Sequence, residues 1–380
     1  MTTMSHLEAY QKELFEIRFS PMCKPAGEVA NFTQLESHMT RARMMMLWQI
    51  VKGQITWTPR RVELVYQSTL DSISEAFDMF HYPISDFMLA ARADIWEAGL
   101  TPHSVKQVVR KNETFSARQP DTSGTMLLAG EVAHLSDESW LTSMQLALAR
   151  FNGEVSPWVA HSGALAYSLG ARDVARSQAR RVIKGIEESG ATTIIADGPE
   201  TAWALNKAYP ALGLDLPVGI EVKSMSIALH EHFSKKVSGH DGNRQEKVMF
   251  HDSRPACLLA ERMANHLAIM PGYLEDEAAF GVGAVYEAPR NLIEALGFAL
   301  VFGTWTRSLS RTSGADDGLW LTYPRLAAGL AVQRLDYAES LGAETIVTDS
   351  PLAASYLSKH TNGRSIRVTL LTEFLEGKKQ

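Results

Sequence analysis

The 380-residue sequence predicts an α/β fold, a helical N-terminal domain followed by two duplicated α/β domains. Three observations carry that prediction. The stretch GATTIIADGPETAWAL at 190–205 returns as GAETIVTDSPLAASYL at 342–357, 152 positions on (342 minus 190). A second pair, HSGA at 161–164 and TSGA at 312–315, repeats at nearly the same offset. Between these landmarks, short apolar runs ending in turn residues alternate with long amphipathic ones, the pattern of parallel strands joined by crossover helices.

Residues 1–118 read as helical. Met39–Val51, Arg61–Phe80 and Ser85–Ala98 carry apolar residues at helical spacing, with turn signals such as Tyr82-Pro83 between them. The polar stretch RKNETFSARQPDTSG at 110–124 reads as a linker. The first α/β domain, 119–233, runs as strand TMLLAG, helix SWLTSMQLALARFN, helix ARDVARSQARRVIKGIEES and strand TTIIAD, which ends at Gly198-Pro199. A hydrophilic stretch, Ser234–Lys247, precedes the second domain, 247–380. There the order recurs as strand VMFHD, helix APRNLIEALG, helix RLAAGLAVQRLDYAESLG and strand TIVTD.

Composition excludes several function classes. Hydrophobic residues make up 45% of the chain and charged residues 21%, with no run near the ~18 consecutive apolar residues of a membrane helix. The start, MTTMSHLEAYQKELFEIRF, lacks the basic and apolar regions of a secretory signal, so a cytoplasmic location is expected. A net charge of -6 with scattered basic residues argues against nucleic acid as a partner. Cys23 and Cys257 are the only cysteines, which rules out a disulfide framework and any all-cysteine metal site within one chain.

Ligands of open α/β sheets sit at the carboxyl ends of the strands. Gly130-Glu131, His161-Ser162-Gly163, Asp197-Gly198-Pro199, Asp252-Ser253-Arg254, Thr312-Ser313-Gly314 and Asp349-Ser350-Pro351 all fall on that edge. These six loops are expected to form two equivalent sites.

Both α/β units resemble the cysteine-rich CCG domains of the heterodisulfide reductase D-subunit and glycolate oxidase iron-sulfur subunit family. VMFHDSRPACLLAER looks like that family's His-Asp-Pro-Cys strand end, YEAPRNLIEALG like its Pro-Arg helix, RTSGADD like Cys-Cys-Gly-x-Gly-Gly, and VTDSPLAASYL like its Cys-Pro-x-Cys turn. The helical domain is similar to the family's ferredoxin-like domain. FSPMCKPAGEVANF keeps the frame of one cluster site at Ser20, Cys23, Ala26 and Ala30, and YQSTLDSISEAFDMF keeps another at Ser68, Asp71, Ser74 and Asp78.

The resemblance implies iron-sulfur clusters, and the residues remove their ligands. Cys23 alone remains of eight expected thiolates in the helical domain. Glu131, His161, Ser162, Gly198 and Thr201 stand at cysteine-equivalent positions in the first CCG unit, and Arg254, Thr312, Ser313, Ser350 and Ala353 in the second. Serine, glycine, alanine and threonine cannot hold a cluster across a whole site, because iron needs the soft thiolate donor. No cofactor is expected, and the turns are read as vacated cradles.

Other candidates have plainer readings. Cys23 is a relict thiol and Cys257 core packing. The histidines of HEH, 230–232, mark a solvated helix end, and His251-Asp252 a satisfied strand end. GVGAVY at 281–286 reads as a flexible loop, and the Met stripe RMMMLW at 43–48 as helix core. His161 beside Ser162 is no catalytic pair, since no nucleophile elbow surrounds the serine.

The expected function is therefore a cluster-free structural or regulatory subunit of a flavin or iron-sulfur oxidoreductase complex, without catalysis of its own. The helix TRARMMMLWQIV, with Met44, Met45, Leu47 and Ile50, is expected to pack on that partner. One alternative is a ligand-binding protein or enzyme that recasts the cavities, with Glu131, His161 and Asp197 as possible metal donors. Another is an electron-transfer subunit sharing clusters with its partner. Self-association is also compatible with the sequence.

Overall fold

A computed structural model describes residues 5–19, 23–78, 82–114, 117–135, 139–151, 155–233, 244–258 and 282–377. The chain opens with nine α-helices among the described residues: α1 (Ser5–Glu8), α2 (Gln11–Ile17), α3 (Cys23–Ala26), α4 (Glu28–Thr33), α5 (Thr40–Val51), α6 (Pro59–Tyr66), α7 (Ser72–Phe77), α8 (Ile84–Glu97) and α9 (His103–Glu113). Thr58 starts α6 by accepting the Arg61 N–H on its hydroxyl, with Pro59 preset for the first turn.

The single helix expected over Arg61–Phe80 is two. Leu70 and Asp71 adopt left-handed backbone, φ 53° and 51°, between α6 and α7, and Phe80 lies outside the described residues. The left-handed conformation halts helical hydrogen bonding, and a buried ion pair from Arg43 to Asp71 holds it in place. The linker expected from Arg110 is likewise shortened, because α9 continues to Glu113.

Each α/β unit holds a four-stranded parallel sheet. The first contains β1 (Thr125–Ala129), β2 (Ser156–Val159), β3 (Thr193–Ala196) and β4 (Glu221–Ser224), in the order β2-β1-β3-β4. Its helices include α10 (Ser139–Phe151), α11 (Ala164–Ser168), α12 (Arg172–Ser189), α13 (Pro199–Trp203), α14 (Tyr209–Ala211) and α15 (Met225–Phe233). The second sheet contains β5 (Arg244–Phe250), β6 (Phe298–Leu300), β7 (Thr345–Thr348) and β8 (Arg367–Leu370), in the matching order β6-β5-β7-β8. Around it stand α16 (Val282–Ala295), α17 (Leu319–Thr322), α18 (Pro324–Ser340), α19 (Pro351–Ser358) and α20 (Leu371–Glu376). GVGAVY is thus no flexible loop, because α16 begins at Val282, while Gly281 lies outside the described residues.

The duplication extends to backbone detail. Gly163 and Gly314, the glycines of HSGA and TSGA, share φ 86°, and each lies tight against a helix backbone oxygen, of Ala175 and Ala327 respectively. A side chain at either would both strain the backbone and strike that helix.

The cores run across the segments. Met44, Leu47 and Phe87 of the helical segment join Met126, Leu128 and Val182 of the first α/β unit in one cluster. Leu127 and Ile195 of the first sheet share another with Val248 and Val347 of the second sheet and Phe374 of α20. No helix among the described residues is long and apolar enough to cross a membrane.

Candidate functional site

The carboxyl ends of β1 and β3 bring Glu131 and Asp197 together, and the same edge of the second sheet faces them. Glu131 is fully buried. Its Oε1 accepts the Glu200 N–H at 2.7 Å, and its Oε2 accepts the Ser350 hydroxyl at 2.8 Å and the Leu352 N–H at 3.4 Å. One carboxylate therefore serves both copies of the repeated turn. Asp197 accepts the Val132 N–H at 2.8 Å and the Thr201 hydroxyl at 2.7 Å. Gly198 has no room for a side chain, since a Cβ would meet Glu131 Oε1 and lie 2.8 Å from Pro351 Cδ. The six loops do not make two separate equivalent sites: Glu131 joins the first pair of turns to the second.

A second hub forms around Asp316. Its carboxylate accepts the Thr312 hydroxyl, the Ser313 N–H at 3.1 Å and the Arg254 N–H at 3.3 Å. Thr312 donates its own N–H to Glu28 Oε2 at 2.9 Å, and Thr69 donates to Glu28 Oε1 at 2.6 Å. Glu28 thereby ties the helical segment to the second α/β unit. Arg254 Nη1 donates to Ser310 O at 2.8 Å.

At the end of β5, Asp252 forms a two-pronged ion pair with Arg290, at 2.9 and 2.7 Å, and also accepts the Arg307 N–H. His251 accepts from Arg334 Nε on Nδ1 at 3.1 Å, so the neutral ring carries its proton on Nε2. That buried Nε2 has no hydrogen-bond partner among the described residues, which corrects the expectation of a satisfied histidine. Asp349 accepts the Ser226 hydroxyl from α15 at 3.0 Å.

Burial sets the charge states of these groups. Glu131 is held well above the ordinary carboxylate range by loss of water, with the Asp197 and Glu200 charges adding to the effect. Burial, then the charges of Asp317 and Asp316, raises Glu200 to about 8. Burial alone is the leading cause for Asp317 and Asp349, each raised to about 7. His251 moves the other way, lowered by burial and by the Arg334 and Arg254 charges.

The ferredoxin-like frames show the same replacement. Arg43 Nη1 sits 2.9 Å from both oxygens of Asp71, and its Nε donates to Leu64 O. Arg92 donates to Ser68 O at 2.9 Å and, across to the first α/β unit, to Ser168 O at 2.7 Å. Ser74 hydrogen-bonds Thr40 at 2.8 Å, Asp78 is buried, and Ala26 and Ala30 pack in the interior. Ser20 lies outside the described residues, as does the side chain of Cys23. Cys257 is fully buried, its thiol 3.1 Å from Arg307 O.

His161 parts from its neighbour Ser162. Ser162 is buried beneath Gly130, its carbonyl accepting the Tyr209 hydroxyl at 2.9 Å. The half-buried His161 instead stacks on His134, ring centroids 4.4 Å apart. The donor set Glu131, His161 and Asp197 is therefore not assembled: the two carboxylates take backbone N–H groups and hydroxyls, and the imidazole lies with another imidazole. The three-donor group found among the described residues is His6, Asp94 and Glu97. There Asp94 accepts the His6 and Leu7 N–H groups at 3.1 Å, the work of a helix cap.

The sequence reading overlooked Glu28, Glu200, Asp316 and the buried Arg43, Arg92 and Arg334. The arginines carried a signal. Arg334 follows Ala327, Leu330 and Ala331 on the buried stripe of α18, and Arg43 lies between Thr40 and Leu47 on that of α5. A charge on an apolar stripe needs a buried counter-group.

No protein-family model and no curated protein matches the sequence. Among solved structures, a hypothetical protein from Helicobacter pylori aligns with a TM-score of 0.56 and 11% identity, over 98% of this chain and 76% of that one. At that identity the likeness shows a shared fold alone.

Proposed function

We propose that this chain is a cluster-free structural or regulatory subunit of a multi-subunit redox complex, built on the frame of the heterodisulfide reductase D-subunit and glycolate oxidase iron-sulfur subunit family. The observation that carries the reading is Glu131. A residue at a cysteine-equivalent position accepts hydrogen bonds from both copies of the turn, so the cradle is closed from within. The Arg43–Asp71 pair occupies a ferredoxin-like frame in the same manner. Such residues add internal polar bonds in place of metal-ligand bonds.

The partner is a flavin- or iron-sulfur-bearing oxidoreductase subunit in the cytoplasm. Its docking surface moves from the helix expected for it, because Met44, Leu47 and Ile50 of α5 are buried in the chain's own core. Phe15 and Phe19 offer apolar area instead, 49% and 59% exposed, with the Arg18 guanidinium 3.5 and 4.0 Å from their ring centroids.

Anaerobic purification tests the first half of the reading: the expected product has no stoichiometric iron or acid-labile sulfide, and their presence would overturn it. Tagged chain captured from its own cells tests the second half. A flavin or iron-sulfur subunit should co-purify in fixed stoichiometry and be released by Phe15→Asp with Phe19→Asp; recovery of the chain alone sinks the partner assignment.

A further inference from the structure

His161 opens onto a cavity of about 270 Å3 between α9, the turn after β1 and α17. That is just under the ~300 Å3 where small-molecule sites usually begin. Its walls are mixed in a specific way. Trp320, Leu165 and Leu321 supply apolar surface, Lys111 a cation, and His134 and His161 a pair of stacked imidazoles.

The charges choose the occupant. Among the described residues, no carboxylate lines the cavity. Lys111 stands at its rim, the Arg181 charge acts on His161, and Lys359 Nζ lies 5.7 Å from the Trp320 ring. Lys111 is the cation on the wall itself, with Arg181 and Lys359 behind it, and among the described lining residues no anion opposes them, a balance that favours negative ligands over a metal ion. The imidazoles point the same way. Rings stacked with centroids 4.4 Å apart and a 33° tilt present faces to each other, whereas shared metal ligands aim their nitrogens at one point. Burial lowers both histidines, His161 to about 4, so each is a neutral ring at physiological pH with one N–H to donate.

Flat aromatic surfaces on the walls favour a flat ligand, since offset stacking adds to plain burial of apolar area. We propose that this cavity binds a small planar organic anion, an aromatic or heteroaromatic carboxylate, with its ring against Trp320 and the histidines and its carboxylate toward Lys111. The site takes His161 from a cysteine-equivalent position but none of Glu131, Asp197 and Ser350, which close the cradle, so it holds or fails independently of the subunit reading.

Calorimetric titration of the full chain with benzoate tests the proposal, with benzamide as the uncharged isostere. Saturable 1:1 binding of benzoate is expected, with benzamide at least about tenfold weaker, as a charge-selective site requires. Lys111 is exposed, so its replacement leaves folding intact. Lys111→Met should weaken benzoate about tenfold, Lys111→Arg should stay within about threefold, and Lys106→Met, on the same helix outside the cavity, should match the parent. Non-saturable benzoate binding, equal affinity for benzamide, or an unchanged Lys111→Met overturns it. So does tight 1:1 binding of zinc that His134→Ala abolishes, which would make the pair a metal site.

Discussion

The two copies of the turn started from one design and now differ by one decisive side chain. In the second copy, Ser350 caps α19 by accepting the Ala353 N–H at 3.2 Å and donates its proton to Glu131. In the first, Gly198 has neither group, and the space its missing side chain leaves is filled by Glu131. Duplicated frames can thus become complementary: one copy loses bulk, the other keeps a donor, and a residue from the first occupies the gap between them. Their aspartates differ too. Asp197 is satisfied by its own unit, whereas Asp349 takes Ser226 from the other unit and keeps Oδ1 without a hydrogen-bond partner among the described residues.

The largest test removes the shared group. Glu131→Ala strands the Glu200 and Leu352 N–H groups and the Ser350 hydroxyl, so a loss of about 2 to 4 kcal/mol in urea unfolding is expected. Glu131→Gln should lose about half as much, because one amide oxygen still accepts. A loss under about 0.5 kcal/mol for the alanine variant would mean that the bridge contributes nothing.

Next in size, Gly198→Ala should cost about 2 to 3 kcal/mol through overpacking against Glu131 and Pro351. In the Glu131→Ala background the same change should cost far less, since the group it strikes is gone. Additivity of the two substitutions would break the account of Gly198 as space made for Glu131. Ser350→Ala, which removes a cap and one hydrogen bond, should cost about 1 to 2 kcal/mol.

A smaller effect is read through pH. Asp349 is raised to about 7 in the folded chain, Asp317 to about 7 and Glu200 to about 8. The folded state therefore binds protons that the unfolded state has released, and stability falls as pH rises through these values. The lowered histidines work oppositely, but their contribution is complete above an unfolded value of about 6.5. Urea midpoints should decline between about pH 6.5 and 8 and level off above, and Asp349→Asn should flatten the part of that fall below about pH 7. A midpoint that rises over this range would contradict the assigned directions. Smallest of all, Cys257→Ser should change stability by about 1 kcal/mol, because a hydroxyl can also donate to Arg307 O.

What the sequence disclosed divides by position in the sheets. The strands legible as apolar runs, β1, β3, β5 and β7, are the central pair of each sheet. The four overlooked, SPWV, EVKS, FAL and RVTL, are all edge strands, half-exposed and too short for a period to register. The site follows a similar rule. Asp197 and Ser350 were marked by the repeat and Glu131 by its place after the first strand, but Glu28 meets Thr312 across 284 positions, and no local spacing announces such a contact. The Arg61–Phe80 helix was misread because its apolar period continues through the left-handed kink at Leu70 and Asp71.

The core shared by the two sheets governs the order in which this chain can be made. Helix α10 packs on α20, and Ser143 donates to Thr372 at 2.7 Å, across 229 positions. While a ribosome is still producing the second unit, the apolar faces of Leu127, Met144 and Ile195 have no Phe374 or Val347 to cover them. At about 5 to 20 residues per second, that surface stays bare for roughly ten seconds or more. The first unit's face thus stays open until the second unit is made, and a chain released before Leu371 is translated cannot close this shared core.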